Sequence, residues 1–219
     1  MSLDLKNVGL VELLALLDYD WRLDSEIIKN ICYYTKSRAD SNKSSSNFVM
    51  GYGMEQPFVL KALAQAFGSK AFFEIGTGRG TGSYAVATSK NIEKISTIDL
   101  IPYSHKRLEA IGYDQAHVSN SDLYEMLDTP GKEKISFYTR SQYSDIMKQK
   151  PDNGYDLFFI DGNHTDFNVI LEDFLMCQLL FGENPIIVWD DYYPDKFAIK
   201  DVVNTTLKQN PDYRAFLLS

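Results

Sequence analysis

Three stretches of this 219-residue chain carry residue types that could do chemistry on an oxygen-bearing ligand. Asp161-Gly162-Asn163-His164 follows the apolar run Leu157 to Ile160, and Asp190-Asp191 follows Ile186 to Trp189. If these runs are neighbouring parallel strands, their carboxyl ends bring Asp161, Asp190 and Asp191 to one spot. Three carboxylates there repel one another, and a hard divalent cation bound through oxygen ligands and water would hold them ionised. The plainer alternative is that each aspartate caps a helix. His164 lies three residues beyond Asp161. An imidazole with an ordinary pKa near ~6.5 can accept a proton at neutral pH, so His164 is the candidate base. Its other role would be to hydrogen-bond the loop or cap a helix from Phe167 to Leu180.

The third stretch, Glu74-Ile75-Gly76-Thr77-Gly78-Arg79-Gly80, follows a run from Ala71 to Ile75 and leads into a helix expected from Tyr84 to Ser89. Glycines let a ligand approach the backbone, and a following helix start offers free N–H groups. The stricter dinucleotide spacing G-x-G-x-x-G is not met, because the third glycine arrives at Gly80 and the required position is Thr81. Glu74 would repel a pyrophosphate and welcome an ammonium group, so a zwitterionic amino-acid cofactor suits the turn better than a dinucleotide. A plain glycine-rich turn is the alternative. Asp99 ends the run Lys94 to Ile98 at a spacing suited to holding both hydroxyls of a ribose; otherwise it caps a helix. Thr77 in the turn and Leu100 after Asp99 fall in the same cofactor zone. Thr139-Arg140-Ser141-Gln142 follows the run Ile135 to Tyr138 and is small and polar enough to edge an adenine.

Together, Glu-x-Gly-x-Gly-x-Gly after the first strand, Asp99 after the second, Ser141-Gln142 after the third and Asp161 after the fourth resemble class I S-adenosylmethionine-dependent methyltransferases. Within that class, roughly residues 50 to 205 resemble the catechol and antibiotic or sugar O-methyltransferases, including the branch with Asp-Gly-x-His after strand four. The resemblance implies that Glu74, Gly76, Gly78, Asp99 and Ser141 bind S-adenosylmethionine, and that Asp161 borders the methyl donor. It also implies that acids at the places of Asp161, Asp190 and Asp191 hold magnesium, which chelates two oxygens of a small-molecule acceptor. Catechol-type relatives carry a lysine where this chain has His164. Phe48-Val49-Met50-Gly51-Tyr52-Gly53 resembles the stretch that closes over the methionine end of the cofactor. An NAD-dependent oxidoreductase and a non-catalytic methyltransferase-like binding module are the competing readings.

The elements that must position these residues are five short strand-like runs separated by crossovers, which predict a Rossmann-like, doubly wound, mostly parallel sheet of six or seven strands with helices on both faces. Ligands of such sheets bind beyond the carboxyl ends of the strands. A helix is predicted within residues 3 to 18, others from Ser25 to Thr35, from Gln56 to Phe67 and from Phe197 to Lys208, and a strand-like run from Tyr213 to Leu218. Residues 1–50 read as N-terminal helices with a serine-rich loop, Ser37 to Asn47, that could cap the acceptor side; residues 51–219 read as the cofactor-binding domain. Either the sheet ends one strand short or a neighbour supplies the last strand, as in a homodimer. Tyr52, Trp189, Tyr192 and Tyr193 could line the pocket of a flat substrate.

A formal charge of -8 opposes binding of nucleic acid, which needs clustered Lys and Arg. Cys32 and Cys177 stand apart with no metal-ligand spacing and are expected to be reduced core thiols. With no signal-like opening and no apolar run of membrane-spanning length, a cytoplasmic protein that makes no membrane contact is expected.

Overall fold

The computed structural model describes residues 6–35, 55–105, 119–192 and 198–218. In chain order these form β1 (Lys6–Val8), α1 (Leu10–Leu16), α2 (Trp21–Thr35), α3 (Glu55–Ala66), β2 (Ala71–Ile75), α4 (Thr81–Ala87), β3 (Lys94–Asp99), α5 (Asn120–Met126), β4 (Ile135–Thr139), α6 (Tyr143–Lys148), β5 (Tyr155–Ile160), α7 (Phe167–Gln178), β6 (Phe181–Trp189), α8 (Ile199–Gln209) and β7 (Phe216–Leu218). The serine-rich loop, the Phe48 to Gly53 stretch, Tyr52 and Tyr193 fall outside the described residues.

The sheet is Rossmann-like. Five strands run parallel in the order β4-β3-β2-β5-β6. The chain winds outward from β2 through β3 to β4, then returns to the other side of β2 with β5, so the direction reverses between β2 and β5. In open sheets of this kind the ligand crevice forms at the carboxyl ends of the two strands that flank such a reversal. All five residues of β2 are buried, as a central strand covered on both faces requires. The other two strands make a separate parallel pair, β1 with β7, that joins the two ends of the described chain. Seven strands are therefore present among the described residues, divided five and two.

Several boundaries differ from those the sequence suggests. The N-terminal apolar stretch is split into β1 and a shorter α1, because pairing with β7 captures Lys6–Val8. Helix α2 starts at Trp21, and Ser25 lies inside it, donating its hydroxyl to the Arg22 carbonyl. Strand β6 begins at Phe181, well before the apolar run Ile186 to Trp189, because Phe181 pairs with Tyr155 across a register shift. Polar residues and Pro185 hid that half of the strand.

The core explains where the N-terminal segment belongs. Ile28, Ile31 and Cys32 of α2 are fully buried in one cluster with Phe58 and Leu60 of α3, Phe72 of β2 and Tyr84 of α4. Lys61 of α3 reaches Asp24 of α2 at 2.7 Å, and Tyr19 donates its hydroxyl to the same carboxylate at 2.8 Å. Helix α2 thus shares a buried core with α3, β2 and α4. Cys177 is buried in the second cluster, between the sheet and α7, and both cysteines are free thiols. No described helix is long and apolar enough to cross a membrane. Truncating Ile31 to alanine empties a fully buried site, so Ile31→Ala should lower unfolding free energy by about 2–5 kcal/mol in urea titration; an unchanged midpoint would show that α2 is not packed this way.

Candidate active site

Backbone hydrogen bonds continue the sheet past its last residues and so align the three turns. Gly76 N donates to the Ile98 carbonyl at 2.9 Å, Asp161 N to Ile75 at 2.8 Å, and Asp190 N to Ile160 at 3.1 Å. Each candidate residue is thereby held one step beyond its strand. The β2 turn and the β5 turn also touch. Gly76 has φ of +91°, and a Cβ there would lie 1.9 Å from the Asp161 carbonyl oxygen, so this position admits no side chain.

Gly78, also left-handed with φ of +53°, is held at both polar ends. Its N–H donates to Asp99 Oδ2 at 3.0 Å, and its carbonyl accepts from Asn120 Nδ2 at 3.2 Å. Asp99 Oδ1 accepts a second backbone bond, from Ile101 N at 3.0 Å. The carboxylate expected to hold a ribose is therefore fixed against the glycine turn. Leu100 beside it is largely exposed. Asn120 was missed on the sequence. The signal that could have found it is Ser119-x-x-Asp122, a capping box in which the Ser119 side chain accepts from Asp122 N and Asp122 accepts from Ser119 N, fixing Asn120 as the first residue of α5.

Glu74 lies beneath the turn rather than at its surface. It is 1% exposed, and its Oε2 accepts from Ser83 at 2.7 Å and Thr97 at 2.6 Å. Thr97 shares a further 2.7 Å bond with Thr77 of the turn. Burial, which outweighs the hydroxyl bonds, pushes the Glu74 carboxyl up to about 7. Any attraction for an ammonium group acts from below, through the turn. Ser141, after β4, is exposed and bonded to Thr139 at 2.8 Å, while Arg140 beside it pairs with the buried Asp173 of α7.

On the other side of the crevice, one ligand atom each from Asp161, His164 and Asp191 fall within 4.8 Å of one another. His164 Nδ1 is 3.3 Å from Asp191 Oδ2, and Nε2 is 3.8 Å from Asp161 Oδ1. Asp191 is left-handed, with φ of 55°, a backbone state aspartate tolerates and that often marks functional turns. Asp190, expected as the third acid of this group, has its Oδ1 on the Asp191 N–H at 2.9 Å and its Oδ2 3.4 Å from the Gln56 amide. It falls outside the tight triad, with His164 in its place. The three carboxylates still feel one another. Burial, then Asp190, Glu74 and Asp191, push Asp161 up to about 8, and burial leads the upward shift of Asp190. Two carboxylate oxygens and one imidazole nitrogen make a donor set that suits a divalent cation.

Of the candidate pocket aromatics among the described residues, Trp189 stacks on Phe174 at 5.8 Å and Tyr192 packs on the α7–α8 cluster, so both are bound up in packing.

No family model matches the chain. A protein of Mycolicibacterium smegmatis, provisionally named an O-methyltransferase, is 28% identical over 121 residues, which is 53% of this chain and 51% of that one. A provisionally named O-methyltransferase of Mycobacterium sp. strain KMS is 28% identical over the same length, 49% of its own chain. The chain thus spans about half the length of the curated relatives it matches. Among solved structures, the O-methyltransferase TomG of Streptomyces achromogenes, in complex with SAM, superposes with a TM-score of 0.51 at 16% identity over 87% of this chain and 79% of its own. The Bacillus cereus O-methyltransferase in complex with SAH gives 0.50 at 13% identity, over 88% and 84%. At these identities the likeness concerns fold.

Two outcomes follow. Gly76→Ala should lower stability by several kcal/mol and remove ligand binding at the turn, whereas Gly9→Ala, with nothing within 4 Å of the added carbon, should stay within about 1 kcal/mol of wild type. A carboxyl raised in the fold adds stability that is intact below its ordinary value and is lost as pH rises to its folded value. Glu74 should therefore cost stability between about pH 4.5 and 7. Glu74→Gln should flatten that part of a melting-temperature profile, with Asp161, Asp173 and Asp190, raised in the same direction, leaving a residual slope.

Proposed function

We propose that the chain binds S-adenosylmethionine and transfers its methyl group to a hydroxyl oxygen of a small molecule, assisted by a divalent cation. The observation that carries this reading is the contact between the glycine turn and the acidic turn at Gly76. It brings the turn that carries Gly78 and Asp99 against the turn that carries Asp161, and this adjacency supports a donor and an acceptor bound side by side. The provisional names of the curated relatives and the SAM- and SAH-bound structures of the same fold support it.

Methyl transfer from a sulfonium to oxygen is an in-line displacement, so alignment and an ionised acceptor account for most of what a protein supplies. Asp99 would hold the ribose and Gly76, Thr77 and Gly78 the methionine arm, with Ser141 at the adenine edge. Asp161 and Asp191 would hold the cation, with Asp190 behind them. Such an ion lowers the pKa of a bound hydroxyl and fixes its direction. His164, between the two carboxylates, would take the acceptor proton or complete the cation's ligands. The formal charge of -8 continues to favour a small acceptor over nucleic acid.

Calorimetry should show S-adenosylhomocysteine binding and no comparable NAD binding, with Asp99→Ala weakening it by about 1.5–3 kcal/mol, the scale of charge-assisted hydrogen bonds. NAD binding without S-adenosylhomocysteine binding would replace this reading with an oxidoreductase. Titrated with magnesium and manganese, Asp161→Asn and Asp191→Ala should each lose cation affinity, and chelator should suppress turnover. Full turnover in excess chelator would leave a metal-free transferase.

A further inference from the structure

Asn120 is 95% buried, and its carboxamide is only half used. Nδ2 donates to the Gly78 carbonyl at 3.2 Å. A carbonyl only accepts, so the amide cannot be turned round without setting oxygen against oxygen, and Oδ1 must point away from the turn's backbone. Among the described residues no donor reaches that Oδ1. A buried amide oxygen without a donor destabilises the unliganded state, and binding of a ligand donor would remove that cost.

The nature of that donor follows from what else holds Gly78. Asp99 takes the N–H of Gly78 and Asn120 takes its carbonyl, so the two side chains flank a single residue of the glycine turn. Each Asp99 oxygen accepts one backbone N–H, and a carboxylate oxygen can accept from more than one donor. A nucleoside lying against Asp99 brings two adjacent hydroxyl donors to this residue, and Asn120 Oδ1 is an unpartnered acceptor on the other side chain that holds Gly78. We propose that Asn120 is a cofactor-binding residue whose Oδ1 accepts a hydrogen bond from one ribose hydroxyl while Asp99 accepts from the other. This rests on the cofactor reading above. It adds a division of labour: Asp99 and Asn120 each read one hydroxyl and each brace one end of Gly78, so seating the ribose and fixing the turn are the same event.

The test uses 5′-methylthioadenosine, which carries the nucleoside without the amino-acid arm, together with its 2′-deoxy and 3′-deoxy counterparts, titrated into wild-type protein and Asn120→Ala. In wild type, loss of either hydroxyl should weaken binding. In Asn120→Ala, the penalty for one of the two hydroxyls should shrink by roughly fivefold to tenfold in affinity ratio, the scale of one neutral hydrogen bond, and the penalty for the other should persist. A residue that only braces the turn would weaken all three nucleosides equally, and that result overturns the proposal. Should the variant not fold, nitrogen-15 spectra of wild type decide: the Asn120 carboxamide signals should move with 5′-methylthioadenosine and move less with one deoxy nucleoside. Identical shifts with all three overturn it. Wild type that binds neither 5′-methylthioadenosine nor S-adenosylhomocysteine would instead refute the cofactor reading, whereas binding with unchanged penalties would refute only the role of Asn120.

Discussion

The approach of the Gly76 backbone to the Asp161 carbonyl is the constraint on which the rest of the candidate site depends. It exists because β2 and β5 are neighbours at the point where the winding of the sheet reverses, and because Asp161 N continues the ladder on Ile75. A side chain at Gly76 would separate the two turns, since the atom it would meet is backbone and cannot rotate aside. With them in contact, the turn that carries Gly78 and Asp99 and the turn that carries Asp161 and His164 share a wall. Neither turn requires a flexible element to bring it to the other.

The polar groups around that wall are arranged in two depths. Glu74, Thr97 and Thr77 form a chain of short bonds from the core to the turn, and the exclusion of water there raises the Glu74 carboxyl. Such a network is costly if any member is removed and rigid while it is intact. At the surface, Asp161, His164 and Asp191 are each about a third exposed, and burial, then the charges of Asp190, Glu74 and Asp191, raises Asp161. The buried layer fixes the turn, and the exposed layer keeps capacity for an added positive charge.

Much of this was legible from spacing. The strand ends Ile75, Asp99 and Ile160 follow from apolar runs bounded by glycine or acid, and parallel order then dictates that Asp161 and the Asp190-Asp191 pair meet. What spacing could not show is the direction of each side chain. Asp190 and Asp191 are adjacent, and only the left-handed backbone at Asp191 decides that it, rather than Asp190, faces His164. Glu74 reads as a ligand-facing acid because it precedes the glycines, but β2 is covered on both faces and the carboxylate is buried against Ser83 and Thr97. Asn120 is marked only by the capping box Ser119-x-x-Asp122, since it lies between strands and its partner is a carbonyl, which has no identity in a sequence.

The N-terminal helices show the same limit at the level of packing. Amphipathic periodicity correctly marks α2 as a helix with a face to bury, but it cannot name the surface that receives that face. The structure supplies one: α2 packs on α3 and α4, and Thr35 at its end accepts from Thr81, the first residue of the helix that follows the glycine turn. A shift of α2 would therefore reach the turn through one buried hydroxyl pair and through Tyr84, whose ring lies against Gly80. The segment that reads as an appendage is coupled to the candidate cofactor site by packing, so stability of the N-terminal region and affinity at the glycine turn are linked quantities rather than separate ones.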